Sequence, residues 1–492
     1  MPCCANWRIR APKRGALWKR RRYPQLRLHA QTLSNLLTAM SRLLEGDDTR
    51  LPRVDDTFTQ KTVNDARKRK WRMPQRKQTK RSGHPAGEEL LDEMLWEILI
   101  RLPVESLARF KLVSKVWYTI ISQPVFVRAH LQRSKQKQHH NPSSFLITPQ
   151  IYLDSNPSGI FSTNIRFFQW SLQEDDLPKV ATKVGMSHSS SAMLLHGRHF
   201  PAGEFGLVSQ MAHCDGLVLL PTDTNAYVFN PATRDGIALP RSHHNVLQRP
   251  VCLPIGLGLD VSTGTYKVAR SFFRSCDYNS VAMGMEVITI NCGEGSWRET
   301  LVDPPYLILC PQTAIHCKGC LFYFIDRENQ PCSPRGLLRF SLQDETFGIT
   351  PLLNNLYPTV EDEDIVIHEL GGELCATFFC KSMQRVLISM TRDILVPEWE
   401  CHYVMNVSDQ CLPMASLSNG GILLRRGHCL FRYYMKDHGV KENDMFDIDE
   451  LRFLGPSEDT LGHAWENLFW FDLLYYTPSL VPVTPKASLH AS

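Results

Sequence analysis

The chain has 492 residues, of which 43% are hydrophobic and 10% aromatic, a globular composition with room for two or three folded units. Its formal charge of +5 conceals an asymmetry, because residues 1–87 hold 22 Lys and Arg against 6 Asp and Glu, a net of +16 that leaves −11 for the remainder. No run of 18 apolar residues exists and no hydrophobic stretch with a cleavage site follows the cationic start, which excludes a helical membrane span and a secretory signal.

The 15 cysteines are therefore expected as reduced thiols. Residues 1–87 read as a basic, disordered leader. Its clusters KRGALWKRRR (13–22) and DARKRKWRMPQRKQTKR (65–81) fit a nuclear-import or nucleic-acid patch as well as a solvated tail. Met73 stands just ahead of the first segment with folded character, so the working protein reads equally well with or without residues 1–72.

Helical periodicity begins after Asp92, a capping residue, with Met94, Leu95, Ile98, Leu99 and Leu102 on one face. Pro103 ends that helix by removing a donor and crowding the preceding turn. A second helical region is expected from Ser106, where Leu107, Phe110, Val113, Val116, Trp117, Ile120 and Ile121 form a stripe, Arg109, Lys111 and Lys115 take the other side, and Leu112 and Ile100 lie off it. Roughly 45 residues cannot bury so much apolar surface alone. The helices either cap the downstream domain or meet another protein.

MLWEILIRLP, LPVESLARFKLVSKVW and IISQPVFVRAHL, in that order across residues 89–130, resemble the plant F-box, a three-helix module that binds the Skp adaptor of cullin-RING ubiquitin ligases. Where the family opens with Leu-Pro, this chain has Leu90-Leu91. By position, the resemblance implies adaptor-facing roles for Leu90, Leu95, Ile98, Leu99, Leu102, Pro103, Leu107, Phe110, Val113, Lys115 and Trp117. Trp117 also reads as internal packing.

The module is placed at 88–130 and a polar linker at 131–145, in which His139 and His140 are solvated rather than ligands. Beyond it the period changes to two. DGLVLL (215–220), NAYVFNPATRDGIALP (225–240), DVSTGTYKVAR (260–270), MEVITIN (285–291) and KGCLFYFID (318–326) all read as strands. Cys317 and Cys320, with His316 and Cys310 nearby, have metal-like spacing, but the segment alternates as a strand and core cysteines are the expectation.

Four glycine-led starts recur, at Gly216-Leu217, Gly319-Cys320, Gly372-Glu373 and Gly421-Ile422, with spacings of 103, 53 and 49 residues. A period near 50, doubled once around TGTYKV, matches kelch-like propeller blades, which bury each meander against its neighbours. A propeller is expected over 146–480, with blade number unreadable and a two-sheet sandwich as the alternative; 481–492 reads as a tail.

CDGLVLL, YVFNPATRDGIALP, GLGLDVSTGTYKVAR and LLRFSLQDETFGITPL also resemble successive signatures of the F-box-associated region of plant F-box proteins, over residues 210–435. The two resemblances together imply an α+β multidomain chain, a small helical F-box followed by an all-β propeller-like domain that recruits a protein target. They imply a non-catalytic subunit of an SCF-type ligase, partnered through the Skp-type adaptor with cullin and RING subunits, without cofactor, in the nucleus and/or cytoplasm. No GxSxG, HExxH or P-loop motif occurs, and GEGSW (293–297) reads as a turn. Glu361 to Asp364 and Arg425-Arg426 read as charged, exposed turns. The alternatives are a nuclear nucleic-acid-binding protein using the leader, or a kelch-like scaffold outside any ligase.

Overall fold

The structure is a computed structural model that describes residues 94–140, 144–152, 161–171, 191–244, 252–277, 280–291, 295–352, 360, 364–380, 383–406, 411–417, 421–434, 445–447, 452–454 and 468–484. All of these belong to one compact unit that begins at Gly87. The basic leader, Asp92, Leu90 and Leu91, and Glu361-Asp362-Glu363 lie outside the described residues.

Among the described residues, four helices open the unit. Residues 94–99 form α1, followed by α2 (Val104–Phe110), α3 (Lys115–Ile121) and α4 (Pro124–His140). Pro103 occupies the N-cap position of α2 in an extended conformation, so it both ends one helix and starts the next. The stripe expected to run unbroken to Ile121 is split, because Ser114 takes an extended conformation and its side chain accepts from the Val116 amide to cap α3. Residues 131–140, which composition places in the polar linker, are the last turns of α4. Lys, Gln and Arg are good helix formers, and with no Gly or Pro inside the segment nothing stops it.

The remaining strands build six sheets. The first is begun by β1 (Ser144–Ile151), β2 (Asn164–Ser171) and β3 (Ser191–His199). The second comprises β4 (Ala212–Cys214), β5 (Leu217–Pro221), β6 (Ala226–Asn230) and β7 (Asp235–Ala238). β8 (Ile255–Asp260), β9 (Thr265–Asp277), β10 (Ser280–Thr289) and β11 (Arg298–Glu299) form the third. β12 (Ile315–Cys317), β13 (Cys320–Phe324), β14 (Gly336–Ser341) and β15 (Phe347–Pro351) form the fourth. The fifth holds β16 (Ile365–Leu370), β17 (Glu373–Cys380), β18 (Arg385–Thr391) and β19 (Glu400–Met405). The sixth holds β20 (Leu412–Ser416), β21 (Gly421–Arg426), β22 (Cys429–Tyr434) and β23 (Met445–Asp447).

The chain then returns to the first sheet. There β24 (Arg452–Leu454) joins β3 in parallel, and β25 (Leu468–Tyr475) pairs antiparallel with β1 as its innermost strand. A ring of blades closed by both ends of the domain leaves few open edges. The domain is therefore a six-bladed propeller, and the sandwich alternative does not hold. The strands β4, β8, β12, β16, β20 and β25 lie innermost and approach one another around the axis.

The glycine-led repeat now has a cause. Asp215-Gly216, Lys318-Gly319 and Gly371-Gly372 each take positive φ at both residues, which the tight turn between the first and second strands of a blade demands. The doubled spacing spans the third blade, whose corresponding turn is the longer segment between Asp260 and Thr265. Several second and third strands, such as β5 and β6, are buried along their whole length because blades cover both of their faces. Cys317 and Cys320 pair across one of these turns and are buried.

A Cβ on Gly216 would stand 2.6 Å from the Thr477 carbonyl oxygen at φ +81, whereas Gly264, at φ +69, faces open space. Gly216→Ala is thus expected to cost about 2 to 3 kcal/mol and Gly264→Ala about 1 kcal/mol, read from urea midpoints. Equal losses at the two positions would show that conformation alone, not the Thr477 contact, sets the requirement. Val481 and Val483, assigned by composition to a tail, are buried beside the second blade, where Asn230 Nδ2 donates to the Ser479 and Val481 carbonyls.

Candidate functional site

Within the helical module the apolar positions divide into two sets. Leu99, Leu107 and Phe110 are buried, together with Val104, Ile121 and Phe126, and form the module's own core. Phe110 meets Trp117 edge-on at 5.0 Å, and Trp96 meets Phe126 edge-on at 4.8 Å. His130 Nε2 reaches the Leu102 carbonyl at 2.8 Å and ties α4 to the end of the first helix. Leu95, Ile98, Leu102 and Trp117 are half-buried, and Pro103, Val113 and Lys115 are exposed.

The expectation that Leu99, Leu107 and Phe110 face a partner thus meets side chains already enclosed by the chain itself. The outward apolar surface instead centres on Leu112, 89% exposed, with Val113 and Val116 at the α2–α3 junction and Tyr118 and Val125 nearby. Sequence reasoning passed over Leu112 because it lies off the helical stripe. Being out of phase was a signal but not a sufficient one, since Ile100 also lies off the stripe and is buried.

The opposite end of the module is seated on the propeller. Leu131 and Val127 of α4 pack into the cluster built by Leu217, Val228, Val481 and Val483. Lys135 forms an ion pair with Asp215, whose other carboxylate oxygen accepts from the Tyr266 hydroxyl at 2.9 Å. Gln138 Nε2 donates to the Ser144 carbonyl, and its own carbonyl accepts from Tyr475 Oη, both at 2.8 Å. Asp215 sits in the β4–β5 turn, Ser144 begins β1 and Tyr475 ends β25, so α4 covers one end of the ring of inner strands. Just inside, Cys214 Sγ and His316 Nδ1 are 3.7 Å apart across the axis.

Burial holds His213 and His316 down to about 4 and pushes the Cys214 thiol up, so this end of the axis is a neutral, packed plug rather than a reactive pair. Among the described residues, no group of three His, Cys, Asp or Glu side chains could hold a metal ion.

At the end of the ring away from α4, Arg425 corrects its reading as an exposed turn residue. It is 5% exposed, with Nε donating to the Gly427 carbonyl at 3.0 Å and its guanidinium carbon 4.1 Å from the Trp470 ring and 3.9 Å from the Phe471 ring. Tyr152, Phe161 and Phe469 form a separate cluster at ring separations of 4.9 to 5.2 Å, with Phe469 preceding Trp470 on β25. Phe469 and Trp470 remain exposed.

Comparison with known proteins gives these two regions a common setting. Residues 88–128 match the model of the F-box domain, and residues 183–483 match that of the F-box associated beta propeller domain, beyond both limits of the sequence resemblance. An F-box/LRR-repeat/kelch-repeat protein of Arabidopsis thaliana is 27% identical over 59% of this chain and 71% of its own length. An F-box protein of the same plant is 25% identical over 61% of this chain and 66% of its own. Some matched relatives are thus covered over less than two thirds of their length. The beta-propeller domain of the Trilobed protease from Pyrococcus furiosus aligns over 55% of this chain and 78% of its own at 8% identity, with a TM-score of 0.28, too low a likeness to bear on the fold. With the helical module first, the six-bladed ring second and both family models matched in that order, the chain belongs to the plant F-box proteins that carry an F-box associated beta propeller domain.

Proposed function

We propose that the chain is the substrate-recognition subunit of an SCF-type ubiquitin ligase. The α2–α3 junction docks on a Skp-type adaptor, and through it on cullin and RING subunits, while the propeller holds a protein target. The single observation that supports this best is that Leu112, Val113 and Val116 stay exposed although the module's other end is packed on the propeller. Exposed Lys115 adjoins that surface at the start of α3. The chain itself supplies no chemistry in this reading: held by the propeller, the target is brought near the conjugating machinery and its effective concentration rises. Such a subunit would work in the nucleus, the cytoplasm or both.

The test is retention of a plant Skp-type adaptor by the full chain and by a Leu112→Asp, Val116→Asp double variant. Wild type is expected to retain the adaptor and the double variant to lose at least about tenfold in affinity, with an unchanged melting temperature because both sites face solvent. Failure of wild type to retain the adaptor would leave a kelch-like scaffold outside any ligase.

A further inference from the structure

An arginine this deeply enclosed is normally paired, since a buried charge without a partner costs far more than an exposed one. Arg425 is the exception: Nε has its carbonyl, but Nη2 is buried without a hydrogen-bond acceptor, and no carboxylate among the described residues forms an ion pair with it. The stacked faces of Trp470 and Phe471 stabilise the cation only in part. The closest acid in charge terms is Asp472, itself buried and engaged at 3.4 Å with the Met211 amide and the Gln150 side chain. Burial pushes the Asp472 carboxyl up to about 7, so at neutral pH it carries only part of a negative charge.

The surroundings suit a chain rather than a free ion. Trp470, 38% exposed, forms the outer wall over the guanidinium, and the Tyr152, Phe161 and Phe469 rings begin one residue away along β25. A cation under an aromatic wall beside an apolar aromatic floor complements an anionic side chain flanked by an apolar one. This strand end faces away from α4, where a target would not collide with the helical module.

We propose that the Arg425, Trp470 and Phe469 surface between the sixth and first blades binds an acidic residue of a peptide next to an apolar residue. The anionic oxygens take Nη2 once the Trp470 indole swings outward, and the apolar side chain lies on Tyr152, Phe161 and Phe469. This rests on the reading of the propeller as the target-holding domain and names the chemistry it selects. A carboxylate and a phosphate present the same oxygens, so both are tested.

The experiment titrates the full chain with four acetylated, amidated peptides, Gly-Phe-Xaa-Gly, in which Xaa is Glu, phosphoserine, Gln or Lys, and follows tryptophan fluorescence. The Glu or the phosphoserine peptide, or both, is expected to bind about tenfold or more tightly than the Gln and Lys peptides. Their order identifies the preferred anion. Arg425→Met should abolish that preference while melting no lower than wild type, because an apolar chain of similar length replaces an unpaired buried charge between two rings. Trp470→Phe should silence the fluorescence change. Equal binding of all four peptides, binding that persists in Arg425→Met, or no binding by any of them would overturn the assignment. Arg425→Met should retain the Skp-type adaptor as wild type does, so a peptide result against this site leaves the ligase reading standing, and an adaptor result against the ligase leaves the site standing.

Discussion

Lowering the pH from 7.5 to 5 should strip the protein of much of its stability, and the loss should begin near pH 6.5 rather than in the carboxylate range. His213, His316 and His368 are half-buried at the inner end of the blades, and desolvation lowers each from an ordinary 6.5 to about 4. A base whose folded pKa is depressed contributes stability above its unfolded pKa, and that contribution drains away as pH falls toward the folded value. Each imidazole is therefore worth about 1.4 kcal/mol per pH unit between roughly 6.5 and 4. Asp472 opposes them, because burial raises its pKa to about 7 and the folded state takes up its proton first. About two protons are then bound on unfolding, a slope near 3 kcal/mol per unit, which over the roughly 1.5 units from pH 6.5 to 5 removes about 4 kcal/mol, close to the low end of a typical stability of about 5 to 15 kcal/mol. Urea midpoints at pH 7.5, 6 and 5 measure it. His368→Gln should flatten the slope by about one proton's worth. A midpoint constant from pH 7.5 to 5 would mean the imidazoles are not held neutral.

Lys267→Ala is expected to cost about 3 to 5 kcal/mol, the range for leaving a buried charge without its partner. Lys267 Nζ sits 2.6 Å from the Leu342 carbonyl oxygen, 2.9 Å from Asp260 Oδ2 and 3.1 Å from Glu345 Oε1, and so fastens the β8–β9 turn of the third blade to the β14–β15 turn of the fourth. Burial alone would raise the Asp260 carboxyl, but donation from Ser262, Lys267 and Thr263 outweighs it and holds the group well below the carboxylate range. Without the ammonium, Asp260 stays enclosed and the Leu342 carbonyl loses its donor. Lys267→Met with Asp260→Asn should recover half or more of the loss, since the amide oxygen can still accept from the Ser262 and Thr263 amides and the one remaining charge, Glu345, keeps Arg298 as its partner. A double variant as unstable as Lys267→Ala would assign the loss to packing of the lysine stem instead.

These two effects differ in how far the sequence announced them. The turn residues after Asp260 were legible as a strand connection, but nothing local marks Lys267 as the residue that reaches into the next blade, 75 positions on. His213, His316 and His368 carry no local sign of neutrality either, because desolvation comes from strands of other blades. The helical module shows the same division. Its apolar period and Pro103 located the helices, yet the period alone could not separate Leu99, Leu107 and Phe110, which the module encloses, from Leu112, which it leaves outside.

What the sequence determined by itself is whatever depends on neighbours along the chain: helical period, the Pro103 boundary, strand runs, and the glycine-led turns at Gly216, Gly319 and Gly372, whereas the break at Ser114 was not legible. Those local requirements implied helices followed by strand meanders, and the family resemblance carried by residue order implied a helical F-box followed by a propeller. The tertiary structure alone decided the blade count, since β25 closes the ring against β1 from more than 300 residues away. It also made a helix seated on Asp215 of what read as a polar linker, and a buried cation of what read as an exposed arginine. The reason is common to all three: burial and pairing are set by residues that meet only after the ring has closed.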